Sequence, residues 1–315
     1  MKILNGYKAS FAEGPFWDHE DERLLYVDLV NMAVIQHDIE NDRSIKWHFE
    51  TPITSIIKQD KEHYILVTNQ KLIQFNKITK EIKDYYVFTD LEEFHLLTDA
   101  KSYSRGNIWF GSVDDRFKYF KESPDTAWQA YPYQPSKFYR LSKEKVLTEF
   151  DFPVTLSNVI ACYETENIVY HVDSGTQAIW KLKFDKNQQL INRTKFFECE
   201  PLLGFPDGIT IDVNGDLWAP LFKSRYIATN YDKTSKMVKI SGKTGTVLEQ
   251  YNLEVSHITS CQFGGNDLQY LFVTTANDLV DEKEKEVQHD SGKIHVFEVG
   301  VTGFKTRIPE NENVI

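Results

Sequence analysis

Cysteine is almost absent from this chain. Its three cysteines, Cys162, Cys199 and Cys261, form no Cys-x-x-Cys pair. That excludes a disulfide framework and a thiolate zinc site, and it fits a reducing compartment. The three read as small buried hydrophobic residues. No run approaches the ~18 consecutive apolar residues that span a bilayer, so no membrane partner is expected. The opening residues Met1-Lys2-Ile3-Leu4-Asn5-Gly6 turn polar without an apolar core; no secretory signal is predicted and a cytoplasmic location is expected. Excess positive charge is also missing: Lys and Arg number 36 against 47 Asp and Glu, a formal net charge of -11. That sign opposes binding to nucleic acid or an anionic membrane. There is no Gly-x-Ser-x-Gly elbow, which argues against a serine hydrolase. Nor does a Gly-x-Gly-x-x-Gly join a strand to a helix, which argues against a dinucleotide enzyme. No low-complexity linker or shift in composition divides the chain, so residues 1–315 read as one domain, and no obligate protein partner is evident.

Helical periodicity is nearly absent too, whereas short β-rich runs bounded by Gly, Asn, Asp and Lys recur throughout. The clearest series is Leu24-Leu25-Tyr26-Val27-Asp28, Tyr64-Ile65-Leu66-Val67-Thr68, Ile108-Trp109-Phe110-Gly111, Ile168-Val169-Tyr170-His171-Val172-Asp173, Leu217-Trp218-Ala219-Pro220 and Tyr270-Leu271-Phe272-Val273-Thr274. The starts are 40 to 60 residues apart. A period of about 40–50 residues with roughly four strands each is the signature of a propeller. The predicted fold is therefore all-β, a six-bladed β-propeller with four-stranded blades, its sixth blade completed by the segment before Glu13. With 41% hydrophobic and 14% aromatic residues, the chain has enough apolar material for a large core.

A second series precedes the first. It runs Ala12-Glu13-Gly14-Pro15, Ile53-Thr54-Ser55-Ile56, Leu97-Thr98-Asp99-Ala100, Leu156-Ser157-Asn158-Val159, Phe205-Pro206-Asp207-Gly208 and Ile258-Thr259-Ser260-Cys261. Ser55 to Ile65, Asn158 to Ile168, Asp207 to Leu217 and Ser260 to Tyr270 are ten residues each, Asp99 to Ile108 nine, and Glu13 to Leu24 eleven. Each repeat thus carries a small polar or acidic residue at one place on its innermost strand. In a propeller these places converge on the axis, so Glu13, Ser55, Asp99, Asn158, Asp207 and Ser260 are predicted to ring the central channel. Unpaired buried polar groups cost about 1–3 kcal/mol each, so such a ring needs partners: water, or a metal ion.

These sequences, in this order, resemble the SMP-30/gluconolactonase/luciferin-regenerating-enzyme family of regucalcin-like proteins. The resemblance rests on Glu13-Gly14-Pro15-Phe16-Trp17-Asp18 with Tyr26-Val27-Asp28, Asp99-Ala100-Lys101, and Ser157-Asn158 with Tyr170-His171-Val172-Asp173-Ser174. It continues in Pro206-Asp207-Gly208-Ile209-Thr210-Ile211-Asp212 with Gly215-Asp216-Leu217-Trp218, and in Thr259-Ser260-Cys261-Gln262-Phe263-Gly264-Gly265. It implies a central metal-binding channel holding one divalent cation through Glu13, Asn158 and Asp207. Ca²⁺ suits an all-oxygen set best, with Zn²⁺, Mn²⁺ or Mg²⁺ as alternatives. The implied chemistry is hydrolysis of a small-molecule lactone or ester, with Asp207 as the expected general base and Asp99 as the second candidate.

The resemblance also predicts where the substrate is read, and there the chain departs from the family. Sugar-lactone members carry Arg-x-Asn-Asp-Gly-Lys at the third blade; here Leu96 takes the Arg position and Thr98 the Asn position. A further contact falls on Arg116. With Ser55 and Ser260 of the ring these are the predicted substrate contacts, and the loss of the polyol-reading groups questions specificity for sugar lactones. The insertion from Asp114 to Lys137, with Phe117, Tyr119, Phe120, Trp128, Tyr131, Tyr133 and the adjoining Phe138, reads either as an aromatic lid or as cover for the third blade. Two other functions stay open: an esterase or phosphotriesterase at the same metal, and a Ca²⁺- or ligand-binding propeller without turnover. His171 and His257 lie off the ring position and read as ordinary buried histidines. Trp17, Trp109 and Trp218 read as packing between blades, and the charged run Asp281 to Glu286 as a solvated loop tip.

Overall fold

A computed structural model of the chain describes residues 1–91, 94–103, 106–114, 136–200, 203–223, 234–278, 280 and 282–305. Six antiparallel sheets follow one another and form a six-bladed β-propeller. Blade 1 is the meander Ala12–Asp18, Arg23–Asp28, Ala33–Asp38 and Arg43–His48. Blade 2 starts at Ile53–Lys58, blade 3 at His95–Tyr103, blade 4 at Ser157–Tyr163 and blade 6 at Ile258–Gly264. In blade 5 the innermost strand is broken into Phe205–Pro206 and Thr210–Ile211, both paired to Leu217–Phe222. The fourth strand of blade 6 comes from the other end of the chain: Lys2–Ile3 pairs with His295–Glu298. The ring is therefore closed by hydrogen bonds between the termini of the propeller, as the sequence led us to expect.

The burial of successive strands explains why the repeats are visible. The second strand of a blade is covered on both faces by its neighbours: Leu24 to Asp28 and Ile168 to Asp173 are buried throughout. Such strands read as continuous β-branched and aromatic runs. The outermost strands, such as Arg43–His48 and Val247–Leu253, are largely exposed and carry no such signal. Six apolar clusters hold the molecule together, one at each junction between adjacent blades. Trp17, Trp109 and Trp218 each belong to one of these clusters. Phe138 lies in the junction of blades 3 and 4, stacked on Trp109 at 5.6 Å, so this residue covers the blade and is no part of a lid. The other aromatic residues of the predicted insertion lie outside the described residues. The run from Asp281 to Glu286, expected as a loop tip, includes a single helical turn at Glu282–Lys285, closed by a Lys285–Glu282 ion pair of 2.7 Å. Cys162, Cys199 and Cys261 are all free and buried. Among the described residues no helix is long and apolar enough to cross a membrane.

Trp17 seals the closing junction. It is fully buried and stacks on Phe272 of blade 6 at 5.8 Å. Trp17→Ala is expected to cost about 3–5 kcal/mol, read as a fall in the midpoint of urea denaturation. A loss under about 1 kcal/mol would show that this junction collapses around the cavity.

Candidate active site

Each innermost strand is interrupted at the ring position. Pairing with the second strand slips between Glu13 and Phe16, Ile53 and Ser55, Leu97 and Ala100, Ser157 and Ile160, and Ile258 and Cys261. In blade 5 the break falls at Asp207-Gly208-Ile209. A β-bulge sets two residues against one, frees backbone groups and re-aims side chains, which is why bulges gather at functional sites. Gly14 shows the local demand. It sits at φ +52°, a left-handed conformation that disfavours a side chain, and its N–H donates to Oε2 of Glu13 at 3.3 Å. Gly208 meets a different demand: a Cβ there would lie 1.9 Å from Oγ of Ser260, so blades 5 and 6 touch backbone to side chain beside Asp207.

The strands are anchored just upstream of the ring. Asp28, at the end of the second strand of blade 1, accepts the N–H groups of Ser10 (2.9 Å) and Phe11 (3.2 Å) on the way into the Glu13 strand. Asp173 does the same in blade 4, accepting from Thr155 (3.1 Å) and Leu156 (2.9 Å) ahead of Asn158. Ser174 accepts from Nδ2 of Asn158 at 3.2 Å and donates to the carbonyl of Pro206 at 2.9 Å, tying blade 4 to blade 5.

Glu13, Asn158, Asp207 and Asp99 share one electrostatic environment. Asn158 donates its amide to Oδ1 of Asp207. Glu13 is partly accessible from the channel yet enclosed by protein; that enclosure, then the carboxylates of Asp207 and Asp99, hold its carboxyl well above the usual range. Burial, with Asp99 adding to it, does the same to Asp207 against the lowering effect of Asn158. Burial also raises Asp99, opposed by Lys101, by Ser55 and by the N–H of Ala100. Asp99 is held on one side only: its Oδ1 accepts from Ser55 Oγ (2.6 Å) and the Ala100 N–H (2.7 Å), whereas Oδ2 is buried with no hydrogen-bond partner among the described residues.

The donor set fits a hard divalent cation. It offers oxygens from carboxylates that repel one another and an amide beside them, which is the chemistry such an ion compensates. Asn158 presents its NH₂ to Asp207 and Ser174 while its Oδ1 accepts the Val159 N–H at 2.8 Å; a cation requires the oxygen, so binding through this amide calls for a half-turn about its terminal torsion that gives up those bonds. Among the described residues no three His, Cys, Asp or Glu side chains gather as a metal cluster, so an ion here depends on that amide as a donor.

The predicted substrate contacts separate. Thr98 Oγ1 is buried with no hydrogen-bond partner among the described residues, while its carbonyl accepts from Thr54 at 3.0 Å. Leu96 pairs with Val113 and is half-buried. Ser55 is occupied in bracing Asp99, since its Oγ also reaches the carbonyl of Ala100 at 2.7 Å. Ser260 is fully buried with its Oγ close to Gly208 and without a hydrogen-bond partner among the described residues. Arg116 lies outside the described residues. His171 is buried under Phe138, bonded through Nε2 to Ser157 Oγ at 2.8 Å, and burial lowers its pKa to about 3. His257 is buried against Phe222, with Nδ1 2.9 Å from Ser256 Oγ.

One channel residue escaped the sequence reading as a site residue. Lys101 sits two places beyond Asp99 on the same strand and on its channel-facing side. Its spacing from Asp99 gave no dependable signal, because the register slips between Leu97 and Ala100 and a bulge breaks the alternation of faces. Beyond Asp99 and Ser55, toward the end to which the innermost strands run, lies a cavity of about 130 Å³ lined by Lys101, Tyr103, Cys162, Gln262 and Phe304 among others.

Fold and site together define a six-bladed propeller whose channel is ringed by carboxylates and an amide. The profile of the SMP-30/Gluconolactonase/LRE-like region matches residues 11–277, and the chain belongs to this family. It is 27% identical over 301 residues, covering 95% of this chain and 94% of the other, to the Bacillus subtilis protein YvrE, whose name proposes it as a sugar lactone lactonase. It is 24% identical to human regucalcin over 297 residues, 93% of this chain and 92% of that one. Among solved structures, a calcium-binding protein, regucalcin, from Agrobacterium tumefaciens superposes with a TM-score of 0.84 at 14% identity, covering 98% and 97% of the two chains. A luciferin-regenerating enzyme gives a TM-score of 0.81 at 22% identity, with 95% of each chain covered.

Proposed function

We propose that this protein is a metal-dependent hydrolase that opens a lactone ring. The observation that carries the reading is that Glu13, Asp99 and Asp207 lie within electrostatic reach of one another, with the Asn158 amide donating to Asp207, at interruptions of the innermost strands. Glu13, Asn158 and Asp207 would hold the ion. A divalent cation bound there supplies a Lewis acid for the substrate carbonyl and acidifies water. Asp207 or Asp99 takes the proton from the attacking water; Oδ2 of Asp99 is buried with no hydrogen-bond partner among the described residues, which supports Asp99 as an acceptor. Ser55 and the Ala100 N–H fix the other oxygen and so aim the carboxylate. Thr98 Oγ1 offers a single hydroxyl to the substrate, and Leu96 offers an aliphatic face.

That pairing favours a lactone or ester less polar than a sugar lactone. A panel of gluconolactone, an apolar γ-lactone, aryl esters and phosphotriesters, each with Ca²⁺, Mn²⁺ and Zn²⁺, tests this. The γ-lactone is expected to give the higher kcat/KM by about tenfold, the scale of one or two pocket contacts. A clear preference for gluconolactone would overturn the specificity, and no turnover on any substrate would overturn the hydrolase. The Agrobacterium relative is a calcium-binding protein, which supports one alternative, a Ca²⁺-binding propeller without turnover; ion binding without hydrolysis in the same panel would select it.

A further inference from the structure

Lys101 spans the channel beneath the ring. From the innermost strand of blade 3 its Nζ donates to the carbonyl of Ile209 in blade 5 (3.3 Å) and to Oε1 of Gln262 in blade 6 (3.0 Å). Both acceptors are uncharged. An ammonium enclosed by protein usually has a carboxylate paired with it, because burying an isolated charge is costly. Burial pushes the Lys101 ammonium below the usual lysine range, and the ring carboxylates oppose that, Asp99 first and Glu13 more weakly. The ammonium acts on them in turn.

The charges balance when counted. Glu13, Asp99 and Asp207 bring three negative charges. One divalent cation brings two positive charges and Lys101 brings the third. We infer that Lys101 is the fixed third positive charge of the site: it limits the ring to one divalent cation and sets how tightly that cation is held. The inference rests on the metal-dependent reading above. The physical ground is that like charges repel as the inverse of their separation, and more strongly in a protein cavity than in water. A tethered ammonium beside the ring therefore lowers the affinity of an ion for the ring and disfavours a second one. Lys101 acts through the carboxylates and the ion, so it is a positioning residue.

Titration calorimetry of the full chain with Mn²⁺ and with Ca²⁺ at pH 8, beside circular dichroism to check folding, tests this. Two variants separate charge from shape. Lys101→Met keeps the length of the side chain and removes the charge; Lys101→Gln removes the charge and keeps a donor for Ile209. Wild type is expected to bind one ion. Both variants are expected to bind it about tenfold more tightly or better, or to take up a second ion, and Lys101→Arg is expected to restore wild-type behaviour. A strut without an electrostatic role predicts a different pattern, with Lys101→Met weaker and Lys101→Gln like wild type. Unchanged or weaker binding by folded Lys101→Gln overturns the inference, and this variant carries the test alone if Lys101→Met fails to fold. If wild type binds no divalent ion, the hydrolase reading and this inference fall together. If wild type binds and the neutral variants match it, only the role of Lys101 falls.

Discussion

Asp207→Ala is expected to reduce hydrolysis to background, a loss of about 10³-fold or more, and to abolish ion binding with it. The substitution removes a proposed ion ligand and a carboxylate able to accept the water proton, roles that contribute several kcal/mol and about 10²–10⁴-fold respectively. It also leaves the Asn158 amide without its acceptor in blade 5. Asp99→Asn is the informative control. It keeps the shape of the side chain and every proposed ion ligand, so ion content should survive while kcat falls by about 10²–10⁴-fold. Steady-state kinetics beside metal analysis separates the two variants. Undiminished turnover by Asp207→Ala would remove the proposed centre, and undiminished turnover by Asp99→Asn would return the base to Asp207.

Without metal, the protein is expected to lose stability relative to Glu13→Gln as the pH rises. Enclosure and the carboxylates of Asp207 and Asp99 raise the folded-state pKa of Glu13 well above the ordinary value of 4.5. A carboxyl raised in this way holds more protons folded than unfolded between the two values. Its contribution is therefore fully present below the ordinary value and is lost as the pH climbs through the folded one, at about 1.4 kcal/mol per pH unit for each group. Glu13→Gln removes the group and should flatten that part of the profile. Urea denaturation of chelator-treated protein at pH 5 and pH 8 measures the difference between wild type and variant. Adding Ca²⁺ at pH 8 should recover stability in wild type, by about 4 kcal/mol at a thousand times Kd, and little in Glu13→Gln. A gap between wild type and variant that stays constant from pH 5 to pH 8 would contradict the account.

Much of the fold was legible because of how a propeller buries its strands. Runs such as Leu24 to Asp28 are covered on both faces and stand out as uninterrupted apolar sequence. Arg43–His48 is mostly exposed and shows nothing comparable. The positions of the six ring residues were legible from spacing, but the directions of their side chains were not. A bulge breaks the alternation that would aim a side chain, so the bond from Ser55 to Asp99 and the packing of Ser260 on Gly208 were not legible. Phe138 stayed open between lid and blade cover because it adjoins an aromatic stretch, and the pairing of Gly111 with Phe138 places it inside blade 3. Lys101 was passed over because a lysine beside an acid on a strand ordinarily reads as surface, and its cross-channel partners, Ile209 and Gln262, are far away in sequence.

Closure of the ring by Lys2–Ile3 against His295–Glu298 also governs the order of assembly. Thr259 Oγ1 reaches the carbonyl of Ala12 across 247 residues, and Glu13 stands on that same early strand. Contacts of such separation form late, after the entropy of a long loop has been overcome. A growing polypeptide thus holds its first acidic residue idle until blades 4 and 5 have emerged, and the last sheet fastens around it only once synthesis is nearly complete. Unfinished chains in this way lack the proposed centre.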